Sequence, residues 1–109
     1  MTGDEQLFFN AIRSDNLTTV EQQLSQQPEL ITATDDRGSS PLILASYYDH
    51  IDLTEILIQA GADVNFKDAS GNTALMGVCF KGDVELAEVL INEGADVNLT
   101  NAMGASALI

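Results

Sequence analysis

The stretch Gly61-Ala62-Asp63-Val64-Asn65 returns letter for letter at Gly94–Asn98, 33 residues further along the chain. If the chain repeats one unit, other residues must return at the same offset, and they do. Asp35, Asp68 and Asn101 stand 33 apart, each three residues before a glycine (Gly38, Gly71 and Gly104). Ser40-Pro41-Leu42, Thr73-Ala74-Leu75 and Ser106-Ala107-Leu108 follow in the same register, and Ile56-Leu57-Ile58 is answered by Val89-Leu90-Ile91. A fixed period of about 20–50 residues is the mark of a solenoid of stacked units.

Each unit has a physical reading. Ser40, Thr73 and Ser106 are hydroxyl residues where a helix should open, and Pro41 sits at a first helical position, where its missing N–H costs nothing. Leu42, Ala45 and Ser46 share one helical face, as do Leu75, Val78 and Cys79. Asp49 or Gly82 ends this short helix. A second helix then carries an apolar stripe, Leu53, Ile56, Leu57 and Ala60 in one unit and Leu86, Val89 and Leu90 in the next. Gly61 and Gly94 stop it, and Asp63 to Gly71 supplies turn residues around a short extended piece. The expected unit is helix, turn, helix, projecting hairpin, stacked into an all-α solenoid.

These residues closely resemble the ankyrin repeat, whose pattern runs D-x-x-G-x-T-P-L-H-x-A-A, then a paired-leucine helix, then G-A-D-V-N. The likeness covers Asp35 to Ile109 and divides the chain into repeats at 35–67 and 68–100, with a further one begun at 101–109. Two departures stand out. The histidine after the leucine is replaced by Ile43, Met76 and Ile109, and the glycine that ends the first helix is Asp49 in the 35–67 unit.

Residues 1–34 fit the same ruler as a degenerate unit. Phe9 falls 33 before Leu42, Ile12 before Ala45, Leu24 before Leu57 and Ile31 before Val64. Thr2-x-x-Glu5 reads as a capping box opening the first helix. Glu21, Gln22, Gln23, Ser25 and Gln26 give the second helix the polar face of an N-terminal capping repeat. At the other end the sequence stops inside the first helix of a further repeat. The expectation is a chain that continues past Ile109, or an uncovered face, including Leu86, Val89, Leu108 and Ile109, through which the protein self-associates.

The 109 residues are 45% hydrophobic, enough to bury a core, and no stretch approaches the ~18 apolar residues of a membrane helix. Seventeen carboxylates face four cations, a net charge of −13. Arg13, Arg37, Lys67 and Lys81 are scattered singly in the sequence, so binding to nucleic acid or an anionic membrane is not expected. The acidic start, Thr2-Gly3-Asp4-Glu5, lacks the basic region of a secretory signal, and the single Cys79 fits a reducing compartment; the expected location is cytoplasmic. Catalytic, metal and cofactor constellations are not found. His50, the lone histidine, is expected to cap a helix and face solvent, and Cys79 to pack. Asp63, Asp68 and Asp96 belong to turns.

The resemblance implies a non-enzymatic scaffold that binds a partner protein on a concave face made of hairpin tips and the exposed side of each first helix. Carried over by position, the tips are Asp36, Arg37 and Ser39, then Ala69, Ser70 and Asn72, then Ala102, Met103 and Ala105. The helix positions are Tyr47 and Tyr48, then Phe80 and Lys81, with Ser14 and Asp15 in the cap. Aromatic side chains with a polar handle are common interface anchors, so the expected patch centres on Tyr48 and Phe80, rimmed by Asp15, Asp36 and Lys81. Two alternatives come from other features. The charge of −13 suits an acidic accessory or inhibitor of a basic enzyme. Asn65 and Asn98, each with a leucine eight residues earlier and an aspartate two earlier, resemble sites modified by asparaginyl hydroxylases.

Overall fold

The computed structural model describes residues 2–107. Among the described residues six α-helices follow in three pairs: α1 (Gly3–Arg13) with α2 (Leu17–Gln26), α3 (Pro41–Tyr47) with α4 (Ile51–Gln59), and α5 (Ala74–Lys81) with α6 (Val84–Asn92). A 3-10 helix, Pro28–Thr32, lies between the first two pairs. Among the described residues the β-structure is a single antiparallel bridge, Thr100 to Ser106. The first helices of successive pairs pack side by side, α1 on α3 and α3 on α5. The molecule is an all-α solenoid.

Helix starts follow the caps read from the sequence. Thr2 Oγ1 accepts the Glu5 N–H at 3.1 Å while Glu5 Oε1 accepts the Thr2 N–H at 2.9 Å, a complete capping box. Ser40 and Thr73 accept the N–H of Ile43 and Met76, and Asn16 and Asp83 do the same for α2 and α6. His50 occupies the equivalent position before α4 without a capping bond from its side chain. That corrects the expectation of a solvent-facing cap. Its Nε2 lies 3.0 Å from the Arg13 carbonyl oxygen in the preceding pair. A carbonyl only accepts, so Nε2 carries the hydrogen.

The core runs unbroken through all three pairs. Phe8, Phe9, Ile12, Leu42, Ala45, Leu53, Leu57, Val78, Leu86 and Leu90 are fully enclosed. Two expectations change. Ala60 is exposed at the end of α4, and the stripe of that helix is completed by Thr54, buried because its hydroxyl donates to the His50 carbonyl at 2.8 Å. Leu86, expected to be bare, is buried: at i and i+4 with Leu90 it faces α5, and the apolar residues left outside are Val84 and Ile91. Val89 is half-buried. Leu108 and Ile109, the rest of that expected face, lie outside the described residues.

The ruler of 33 also slips in the first unit. The turn between paired helices closes with a bond from Asn16 N–H to the Ala11 carbonyl, from His50 to Ala45, and from Asp83 to Val78. The residue just before each donor has a positive φ: Asp15 at 56°, Asp49 at 63°, Gly82 at 77°. Ala11 therefore corresponds to Ala45 at an offset of 34, while Ala45 and Val78 keep 33. The additional residue falls between Asn16 and Asp35, the stretch that holds the 3-10 helix. The slip has a consequence for the concave face. Arg13 and Ser14, rather than Ser14 and Asp15, stand where Tyr47 and Tyr48 stand in the next unit.

Candidate functional site: the concave groove

The hairpin tips share one device. Asp35 Oδ1 accepts the N–H groups of Arg37 and Ser39, Asp68 Oδ1 those of Ser70 and Asn72, and Asn101 Oδ1 those of Met103 and Ala105, at 2.9–3.0 Å. Each acceptor sits beneath its own turn, so the tip projects rigidly from the stack. The second and third tips are tied together: the Ala102 N–H donates to the Ser70 carbonyl at 3.0 Å, and Asn101 Nδ2 donates to Asn72 Oδ1 at 2.9 Å. Further down the hairpins, Asn65 Oδ1 accepts the Asp96 N–H at 2.7 Å. Both repeated asparagines lie in this turn region, and Asn65 serves as a strut between neighbouring units.

The tips and the exposed sides of α3 and α5 enclose a groove of about 720 Å³. It brings together Asp36, Arg37, Tyr47, Tyr48, Ser70, Asn72, Phe80 and Lys81. Two residues of the expected set stand apart from its lining. Asp15 turns away at the α1–α2 corner, where its carboxylate lies 3.8 Å from His50 Nδ1. Met103 is 92% exposed at the last tip.

Tyr47, Tyr48 and Phe80 are 54%, 44% and 52% exposed, so about half of each ring is in water although packing between units was open to them. Tyr47 and Tyr48 meet edge to face, with centroids 5.7 Å apart, and Tyr48 stacks on His50 at 6.0 Å. Lys81 Nζ sits 4.8 Å above the Tyr47 ring, donates to the Tyr47 carbonyl, and reaches Asp49 Oδ1 at 3.1 Å. Lys81 thus covers one face of Tyr47 and His50 one face of Tyr48, which holds both rings in place while about half of each stays in water. The Asp49 carboxyl titrates below the ordinary carboxylate range, held there by hydrogen bonding with Asp83 and Lys81 and by the charge of Lys81 and His50.

Arg13 and Gly77 line the groove and escaped the sequence reading. Arg13 was hidden by the slipped ruler; its guanidinium bonds Asn10 Oδ1 at 3.0 Å and faces the enclosed Asp35 carboxylate at 3.9 Å. Gly77, in mid-α5, presents bare backbone one turn before Phe80, and an added Cβ there would meet nothing within 4 Å. Ser39, expected at a tip, is buried and still lines the groove. A glycine inside a helix costs about 1 kcal/mol relative to alanine, and that signal was available in the sequence. Cys79, on the same helix, is half-buried, and burial pushes its thiol up, away from a reactive thiolate.

A family model for ankyrin repeats, in three copies, matches residues 8–101. The chain belongs to the ankyrin-repeat family. Ankyrin repeats generally mediate protein–protein interaction, and the family is typically a non-enzymatic scaffold. Comparison with curated proteins gives no match. No helix among the described residues is long and apolar enough to cross a membrane.

Proposed function

We propose that this chain is a non-catalytic cytoplasmic module that docks a partner protein in the groove between its hairpin tips and helices α3 and α5. Tyr48 and Phe80 are its anchors. Tyr47 and Lys81 brace them, Arg13, Asp36 and Arg37 supply charge at the rim, Ser70 and Asn72 offer hydrogen bonds, and Met103 provides an outlying contact. The observation that carries this reading is three aromatic rings, each half in water, lining one groove whose two hairpin tips are each held by an aspartate beneath the turn. Half-exposed aromatics on a rigid frame lose little entropy on binding, which suits them to be hot spots.

The test compares proteins captured from a native extract by the unmodified chain, by Tyr48→Ala with Phe80→Ala, and by Ile91→Ser on the opposite helix layer. Truncating central anchors costs roughly 2 kcal/mol or more, about 30-fold in Kd. A partner lost with the double substitution and kept with Ile91→Ser, while the thermal midpoint of both stays within a few degrees, is the expected result. Unfolding by the double substitution, or capture that survives it, would overturn the groove as the binding site.

A further inference from the structure

The fold sorts the charges of this chain in a way the sequence order conceals. Arg13, Arg37 and Lys81, three of its four cations, line the groove, together with three carboxylates, Asp35, Asp36 and Asp68. The groove is thus balanced. Of 17 carboxylates fourteen lie outside it, against Lys67 alone, so the full −13 is carried by the surface around it. Helices α2, α4 and α6 contain Glu21, Asp52, Glu55, Glu85 and Glu88 and no lysine or arginine. Two of the groove cations are already matched within the chain, Arg13 by Asp35 and Lys81 by Asp49. Beside its polar rim, what the groove offers a newcomer is the half-exposed rings of Tyr47, Tyr48 and Phe80 and bare helix backbone at Gly77, one turn before Phe80.

We infer that the partner is a basic protein that places an apolar side chain, flanked by lysine or arginine, against Phe80 and Gly77. This rests on the groove being the docking site. The anionic shell draws the partner in, and the neutral groove holds it. A cationic segment gains from the field at every approach, whereas an acidic one meets fourteen carboxylates for the sake of Arg37. The two tasks separate in their dependence on salt. At about 0.01 M salt the screening length is ~30 Å, comparable to the 38 Å long axis of the molecule, and the whole charge acts. At physiological salt it is ~8 Å, and the distant carboxylates are screened. Steering of this kind appears in the association rate, while desolvated apolar contacts set the dissociation rate.

The experiment selects a randomised peptide library on the immobilised 109-residue chain at low salt and then measures the association and dissociation rates of the enriched peptides. The expected peptides combine a large apolar residue with net positive charge. Their association rate falls about tenfold or more from low to physiological salt, with little change in dissociation. Glu85→Gln with Glu88→Gln, outside the groove, slows association alone, and Tyr48→Ala with Phe80→Ala speeds dissociation. Neutral or acidic peptides that still require Tyr48 and Phe80 would overturn the basic partner and leave the groove standing. Peptides indifferent to those two residues would overturn both. Failure to enrich any peptide would overturn recognition of a short cationic segment while leaving the groove to a folded partner.

Discussion

Gly38, Gly71 and Gly104 occupy one position in three successive tips, with φ of 77°, 80° and 79°. Replacing each with alanine imposes the same left-handed backbone, a cost of roughly 1–2 kcal/mol in every case. The surroundings differ. At Gly71 an added Cβ would lie 2.8 Å from Ala102 N and 3.1 Å from the Asn101 Cα, both backbone atoms of the next tip. The Ala102-to-Ser70 bond fixes that approach, so neither side can yield without breaking it. At Gly38 the closest atom is Ala69 N at 3.0 Å, and at Gly104 nothing lies within 4 Å. Overpacking adds about 1–3 kcal/mol. One kcal/mol moves a domain of this size by about 4–8 °C. Gly71→Ala should therefore melt at least ~4 °C below Gly104→Ala, with Gly38→Ala between them. Melting followed by far-ultraviolet circular dichroism reads this directly. Because φ is common to all three, its contribution cancels in the comparison. If Gly71→Ala and Gly104→Ala melt together, tip-to-tip packing does not set the cost and the rigid-frame argument fails with it.

Three other outcomes follow from the geometry. Asp35→Ala strands the Arg37 and Ser39 N–H groups and should cost about 1–3 kcal/mol in urea unfolding, whereas Asp35→Asn should cost much less, since Asn101 holds the same turn; equal losses would count against the turn role. Asp49 has a depressed folded-state titration, so the stability it contributes is present above the unfolded value and lost as pH falls through the folded one; Lys81→Met should move its NMR midpoint up towards the ordinary range, and an unmoved midpoint would remove Lys81 as a cause. Gly77→Ala, with open space and helical backbone, should raise stability by about 0.5–1 kcal/mol while weakening the peptides selected on the groove; a gain in both would show that bare backbone there has no part in docking.

The sequence by itself determined the period, the helix pairing and the family. Those depend on local signals that repeat: a hydroxyl cap, an apolar stripe at helical spacing and a turn residue with positive φ are each decided within about ten residues, and repetition makes them legible. It also placed eight of its ten expected contact residues on one groove, because a solenoid maps equal positions in each unit onto one face. What it could not decide depends on distance across units. The slip at Ala11 looked like perfect register until the turn bonds showed which residues correspond, and that slip exchanged Arg13 for Asp15 at the groove. His50 looked like a cap because its partner, the Arg13 carbonyl, lies 37 residues away. The cations looked scattered because sequence separation says nothing of separation in space. Stacking set three of them around one groove and left the anionic charge outside, and only the packing of unit on unit makes that arrangement.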